Sequence, residues 1–278
     1  MLVVTALTAA VVYGVADYLG GRASRHSPAM VVTLLGQTAA LFVLGAAAFA
    51  SRVPLPPASD WMWGGLAGIA GSSGLIAFYR AMGSGFMAVA GPISAVTTGA
   101  VPVLIGLATG ERPGVLALLG MPIAFGAVVL VADAFGPGHR RAPRMVIILA
   151  FAAGLVFGSL FVLLDRTSAD SGIWPVVAMR VASVPYMALL VRGSNMWLKP
   201  GKANLGVIVA AGILDSTANA LFLAATRLGM MSVAAVIIAL YPASTLLLAV
   251  RLDKEKIHPP QVAGLALAAG ALVLITLS

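Results

Sequence analysis

The segment GIAGSSGLIAFYRAMGSGFM at residues 68–87 returns, altered but in register, as GILDSTANALFLAATRLGMM at residues 212–231. Gly68, Ile69 and Ser72 fall on Gly212, Ile213 and Ser216 at an offset of 144 residues. At the same offset Phe78, Ala81, Gly85 and Met87 fall on Phe222, Ala225, Gly229 and Met231. Carried outward, it pairs Gly14 with Gly158, Arg22 with Arg166, Ser24 with Ser168, Glu111 with Glu255, Gly120 with Gly264 and Gly126 with Gly270. Matching alanines and leucines mean little in apolar sequence. Loop glutamates and flanking glycines, paired at one offset, mark an internal duplication.

Each copy holds five apolar runs of the ~20 residues that a spanning helix needs. They cover 2–20, 28–50, 61–82, 86–109 and 113–132, then 145–164, 172–191, 204–226, 231–250 and 259–277. Of the 278 residues 60% are apolar and 9% charged, whereas a soluble domain carries about 25% charged residues. The net charge of +8 comes from Arg and Lys scattered through short connections, the membrane-protein pattern rather than a nucleic-acid footprint. The first run lacks a basic n-region and a persuasive cleavage site, so it reads as a span rather than a signal peptide. The chain has no cysteine, which removes disulfides, thiolate metal sites and cysteine nucleophiles.

The central connection, Asp133 to Arg144, carries Gly136, Pro137, Gly138 and three arginines and divides the copies. The expected organisation is residues 1–132, a linker 133–144, and residues 145–278. Five is an odd number of spans, so the second copy enters the membrane from the opposite side. The fold class that follows is an all-α polytopic membrane protein of ten transmembrane helices, two inverted five-helix repeats. Such repeats place a substrate site near the midplane, and rocking about it gives alternating access. Small-xxx-small pairs such as Gly64/Gly68 and Gly154/Gly158 suit close helix packing. Pro92 and Pro102 share one span and Pro242 lies in its counterpart, marking that pair as a candidate moving wall of the cavity.

Several of these residues together resemble the ten-helix, EamA-type branch of the drug/metabolite transporter superfamily. The resemblance runs over nearly the whole chain. It rests on Phe78-Tyr79-Arg80-Ala81-Met82, Gly85, Val89, Pro92, Pro102, Gly110-Glu111-Arg112-Pro113, Gly120 and Gly126. The second copy contributes Phe222, Ala225, Gly229, Leu240-Tyr241-Pro242, Glu255, Gln261, Gly264 and Gly270, and the pairs Tyr13-Gly14 and Phe157-Gly158 fit as well. The resemblance implies secondary transport or export of metabolites, amino acids or drugs. It also implies an arginine in the second helix of each repeat; Arg180 fits, but Gln37 stands at roughly the matching place in the first copy.

An ionisable side chain at the bilayer centre costs at least ~2.5–3.5 kcal/mol, so each needs a reason. Arg180 lies well inside the seventh span and Asp215 near the middle of the eighth, with Asn219 one turn further on the same face. The counterpart of Asp215 is Gly71. These three form a candidate midplane site in which Asp215 binds a cationic group or exchanges a proton. Read structurally, the same pair keeps two buried charges neutral. Tyr241 beside Pro242 is a further cavity candidate. Tyr13 shares a face of the first helix with Asp17, whose place near the membrane edge suits an interfacial or capping role. Gln37 reads as a hydrogen bond to a neighbouring helix or a substrate contact. Glu111 and Glu255 precede the fifth and tenth spans, where a carboxylate caps a helix N-terminus. Trp61, Trp63, Trp174 and Trp197 read as interface anchors.

The expected function is a secondary transporter, exporter or permease, moving a small metabolite, amino acid or drug-like compound, with proton coupling. A non-transporting structural or regulatory membrane protein is the alternative. His26, His139 and His258 lie apart in loops, and no metal cluster, nucleophile–base arrangement or P-loop is evident. An enzyme, a catalytic residue, a metal and a cofactor are therefore not expected. The expected partners are the lipid bilayer, a small-molecule substrate and protons, with no nucleic acid, in a monomer or homodimer of the bacterial inner membrane. Twelve Lys and Arg lie on the side reached after odd-numbered spans and four on the other. That bias puts both termini outside the cytoplasm, whereas the resemblance puts them inside. Cysteines introduced singly at Ser24 and Ser59 separate the two. On the charge count an impermeant maleimide added to intact cells labels Ser59→Cys and spares Ser24→Cys; the reverse pattern establishes inward termini.

Overall fold

The computed structural model describes residues 1–82, 87–132, 142–194, 205–254 and 257–278. Among the described residues there is helix and no strand. The helices are α1 (Leu2–Ser24), α2 (Ala29–Ala50), α3 (Ala58–Met82), α4 (Met87–Ala108), α5 (Val115–Val131), α6 (Arg144–Asp165), α7 (Trp174–Gly193), α8 (Leu205–Thr226), α9 (Met231–Ile238), α10 (Tyr241–Leu252) and α11 (Pro259–Thr276). A 3-10 turn, Ala169–Ser171, precedes α7. Eight segments among the described residues, counting α9 and α10 as one, are long and apolar enough to cross a bilayer. The other two are α5, which is apolar but 17 residues long, and the glycine-rich α3. Most of the central linker, Glu255, His139 and Trp197 lie outside the described residues.

The ninth span is two helices rather than one. Pro242 has no N–H to bond back along a helix, and the chain turns through Ala239 and Leu240 before α10 begins. The Ser244 hydroxyl donates to Ala10 O at 3.1 Å and the Thr245 hydroxyl to Gly14 O at 3.2 Å, tying the start of α10 to α1. By contrast α4 runs unbroken through Pro92 and Pro102, so the two expected wall helices differ. Every residue of α9 is buried and none of α10 is.

The larger interfaces join a helix of α1–α5 to one of α6–α11. They come in exchange-related sets: α1 on α8 with α3 on α6, α2 on α8 with α3 on α7, and α4 on α6 with α1 on α10. α5 packs on its own counterpart α11. Neither segment packs chiefly against itself, so each completes the other.

Repeat-paired glycines sit where these helices cross. A Cβ on Gly68 would collide with the Met179 carbonyl, and one on Gly212 with the Gly36 backbone. A Cβ on Gly120 would lie 2.9 Å from Ile275 Cγ1 and 3.1 Å from Ala271 O. On Gly264 it would lie 2.7 Å from Val131 N and 3.0 Å from Ala127 O, the same positions one repeat earlier. The chain also leaves α4 and α10 through matching left-handed residues, Gly110 (φ 104°) and Lys254 (φ 55°).

Gly126 and Gly270 form a repeat pair as well, but neither would meet an atom within 4 Å. Overpacking a tight contact costs about 1–3 kcal/mol, while replacing an open helical glycine by alanine gains up to about 1 kcal/mol. Gly212→Ala and Gly264→Ala are therefore expected to melt earlier than wild type in detergent, and Gly270→Ala no earlier. Equal losses in all three would show that the crossings do not depend on glycine.

Candidate functional site

The site is assembled on α7 and α8 and completed by α1 and α10. The Arg180 side chain is 2% exposed; its Nη2 donates to Asp215 Oδ2 at 2.6 Å and its Nε to Ser216 Oγ at 2.7 Å. The Asp215 side chain is 42% exposed. The pair is lopsided: the cation is sealed into helix packing and the carboxylate fronts open space. Asn219, one turn along α8, donates Nδ2 to Asp215 O at 2.8 Å and approaches its Oδ2 at 3.5 Å. Its Oδ1 is buried and has no donor.

Helix α1 supplies Tyr13 and Asp17. The Tyr13 ring lies 6.3 Å from those of Tyr241 and Phe161, and its hydroxyl is buried without a hydrogen-bond partner. Tyr13 is within electrostatic reach of Asp215, Arg180, Asp17 and Tyr241, and Asp17 within reach of Asp215 and Tyr241. Five of the six residues expected from the sequence, Arg180, Asp215, Asn219, Tyr13 and Tyr241, thus share one neighbourhood. Asp17 belongs with them rather than standing apart at the membrane edge. Ser216 and Phe161 were not anticipated; the repeat pairing of Ser216 with Ser72 was the available signal.

Gln37 is the exception. It is buried, its Oε1 has no partner, and it makes no side-chain hydrogen bond among the described residues. The expected bond to a neighbouring helix is not formed; beside it α2 meets α8 backbone to backbone at Gly36 and Gly212. The same crossing explains the missing second arginine. The position one repeat before Arg180 is Gly36 itself, and the position before Asp215 is Gly71, where a Cβ would lie 2.6 Å from Leu160 Cδ1. The ion pair's counterpart is occupied by close packing.

Two faces flank the site. At the basic face, where α1 and α10 end, the Tyr18 hydroxyl donates to Asp253 at 2.9 Å and Arg25 approaches the same carboxylate at 3.8 Å. At the terminal face, where α1 begins and α11 ends, the ties are denser. The Asp60 carboxylate accepts the Ser168 N–H at 3.0 Å and the Ser171 hydroxyl. Arg227 donates to Gly172 O at 2.7 Å and Ser168 O at 2.8 Å. Burial pulls the Arg227 guanidinium below its ordinary pKa, while the charges of Asp60 and Asp170 push it back up. Trp174, expected as an interface anchor, is instead 3% exposed and donates to Val53 O at 3.2 Å. It is enclosed by Trp61 and Phe49.

Glu111 also departs from expectation. Its carboxylate accepts the N–H groups of Met231 at 2.7 Å and Ser232 at 3.0 Å, capping α9 rather than the fifth span. Gly106 leaves the space through which that side chain passes. Two surface grooves lie apart from the Arg180–Asp215 cluster. One of about 380 Å³ is lined by apolar residues including Phe42, Phe49 and Trp174, and one of about 730 Å³ includes Arg80 and Leu189.

An all-helical bundle of this kind, with charged groups held within its spans, is a polytopic membrane transporter in class. The chain belongs to the EamA-like transporter family, whose model matches residues 1–132 and again 144–277. A solved crystal structure superimposes with a TM-score of 0.84 at 22% identity, covering 99% of this chain and 98% of that one. At that identity the likeness speaks for the fold alone. No curated protein matches the chain.

Charge-assisted hydrogen bonds of the Glu111 kind contribute about 1.5–3 kcal/mol each. Glu111→Ala is therefore expected to loosen the N-terminus of α9. With Ser232, which is fully buried, replaced by cysteine as reporter, maleimide labelling should rise by roughly tenfold or more. Unchanged labelling would show that the cap does not hold this face.

Proposed function

We propose that the protein is a secondary transporter working by alternating access between two inverted five-helix repeats, 1–132 and 145–278 about a linker. The observation that carries this reading is the Arg180–Asp215 pair: a sealed cation beside a carboxylate that remains open, at mid-depth in an apolar bundle. Ionisable groups within membrane spans are rare, face the bundle interior or a water-filled cavity, and mark substrate or ion pathways. The exchange-related interfaces supply the rocking surface. Helix α9 is packed shut toward the terminal face and α10 is not packed shut toward the basic face. This state therefore gives access from the basic face, which the charge count places in the cytoplasm of a bacterial inner membrane.

Asp215 is the coupling group in this reading. In this state Arg180 holds its carboxyl group; when the helices shift and the guanidinium withdraws, a proton or a substrate cation takes that place. Asn219, Tyr13 and Tyr241 line the same space, and Gln37 joins them only in a rearranged state. One polypeptide holds a complete pathway, so a monomer or a homodimer serves equally.

The test is reconstitution in liposomes with transport currents and lumenal pH recorded against amino acids, nucleosides, sugars and lipophilic cations. Asp215→Asn keeps an acceptor for Arg180, so size-exclusion behaviour should match wild type. Saturable flux with proton movement is expected in wild type, and its coupling is expected to vanish in Asp215→Asn. Full coupled flux in that variant would remove Asp215 from the mechanism, and absence of flux across the panel would count against a carrier.

A further inference from the structure

We propose that the open side of the Arg180–Asp215 cluster is selective for an organic monocation bearing N–H donors on an apolar or aromatic body, and that Asp17 is its anchoring carboxylate. This rests on the transporter reading and names the substrate class of the same site. The first argument is charge. Arg180 is committed to Asp215 and Ser216 at 2.6 and 2.7 Å. Asp17 has no ion pair or hydrogen bond among the described residues, and it is exposed. The cluster thus holds two carboxyl groups and one guanidinium, so an organic cation seated at Asp17 supplies the counter-charge that Arg180, committed to Asp215, does not.

Position supports the same assignment. At 1.5 Å of rise per residue, Tyr13, Asp215 and Tyr241 each lie roughly 15 Å from the basic-face end of their helices, and Asp17 roughly 10 Å. Asp17 stands one turn nearer the open side, where an arriving cation meets it first. An ionised carboxylate inside the bilayer costs several kcal/mol unless it is paired. Within the described residues nothing supplies that pair, and the substrate does.

The remaining groups define the rest of the ligand. Asn219 is 3% exposed, its side chain is turned toward Asp215, and its Oδ1 is an acceptor without a donor. The buried Tyr13 hydroxyl likewise has no partner. An ammonium, amidinium or guanidinium brings the N–H groups these oxygens lack. The Tyr13 and Tyr241 rings, with centroids 6.3 Å apart, supply aromatic surface that attracts a cation and suits an apolar body. Among the described residues of the cluster the one guanidinium is already engaged, so an anion finds no cationic partner there. A zwitterionic amino acid therefore has an anchor for its ammonium and none for its carboxylate.

The experiment uses the purified full chain in detergent and in proteoliposomes. Probes are 2-phenylethylammonium, its N,N,N-trimethyl analogue and phenylacetate, with binding read by calorimetry and flux by radiolabel. The ammonium is expected to bind, the trimethyl analogue more weakly, and phenylacetate not at all. Asp17→Asn is expected to weaken ammonium binding by about tenfold or more, and Asp17→Glu to retain most of it, with thermal stability unchanged in both. Equal binding of phenylacetate, or full ammonium affinity in Asp17→Asn, overturns the assignment. Flux of a sugar or nucleoside that Asp17→Asn leaves intact overturns it while keeping the carrier. If no probe binds and none is transported, both readings fall.

Discussion

In hydrocarbon, two helices gain nothing by hiding apolar surface from water, so close backbone approach has to hold the bundle together. This chain meets that constraint with glycine at helix crossings. Gly68 lies under the Met179 carbonyl and Gly212 under Gly36, while Gly120 and Gly264 meet equivalent residues of α11 and α5. Because each crossing joins one copy to the other, the duplication is also the packing scheme. A five-helix copy alone would leave its glycine faces uncovered.

The scaffold is therefore close to symmetric, and the chemistry is not. Where the second copy carries Arg180 and Asp215, the first carries Gly36 and Gly71, each pressed against a neighbouring helix. A charged pair there would have to push the α8 backbone from Gly36 and the Leu160 side chain from Gly71. Both copies thus supply tight crossings and the second adds the ion pair, while α1 contributes Tyr13 and Asp17 across the α1–α8 interface. The dependence is mutual: the crossing at Gly36–Gly212 sets α8 in place one turn from Asp215.

Much of the fold was legible in the chain because hydropathy and a constant offset report directly on bilayer spans and duplication. Nine of the ten expected spans are single helices and the tenth is broken. The Arg180–Asp215–Asn219 grouping was legible too, since intramembrane charge is rare enough to stand out. Targets of individual side chains were not. Glu111 precedes one helix and caps another because loop geometry carries it across to Met231. Trp174 looks like an anchor by position but is walled in by Phe49 and Trp61. Gln37 lacks its expected partner beside a pair of glycines, and Gly126 and Gly270 repeat like the others yet touch nothing within 4 Å. Pairing in sequence shows equivalence of position, and only packing shows which equivalences carry load.

The broken ninth span joins these themes. Pro242 withdraws one backbone donor at mid-depth, so α9 and α10 need not move as a rod. Glu111 holds the α9 N-terminus through two N–H groups, and all eight residues of α9 are buried. α10, with no buried residue, is fastened to α1 by the Ser244 and Thr245 hydroxyls on the Ala10 and Gly14 carbonyls. Tyr241 stands at the junction, beside Tyr13 and within reach of Asp17. A shift that separates α9 from α10 therefore acts at the tyrosine that packs on Tyr13 and on the helix that carries Asp17. The Glu111 cap at the terminal face and the Tyr13–Tyr241 contact at mid-depth therefore lie on one interrupted span, with no long chain of contacts between them.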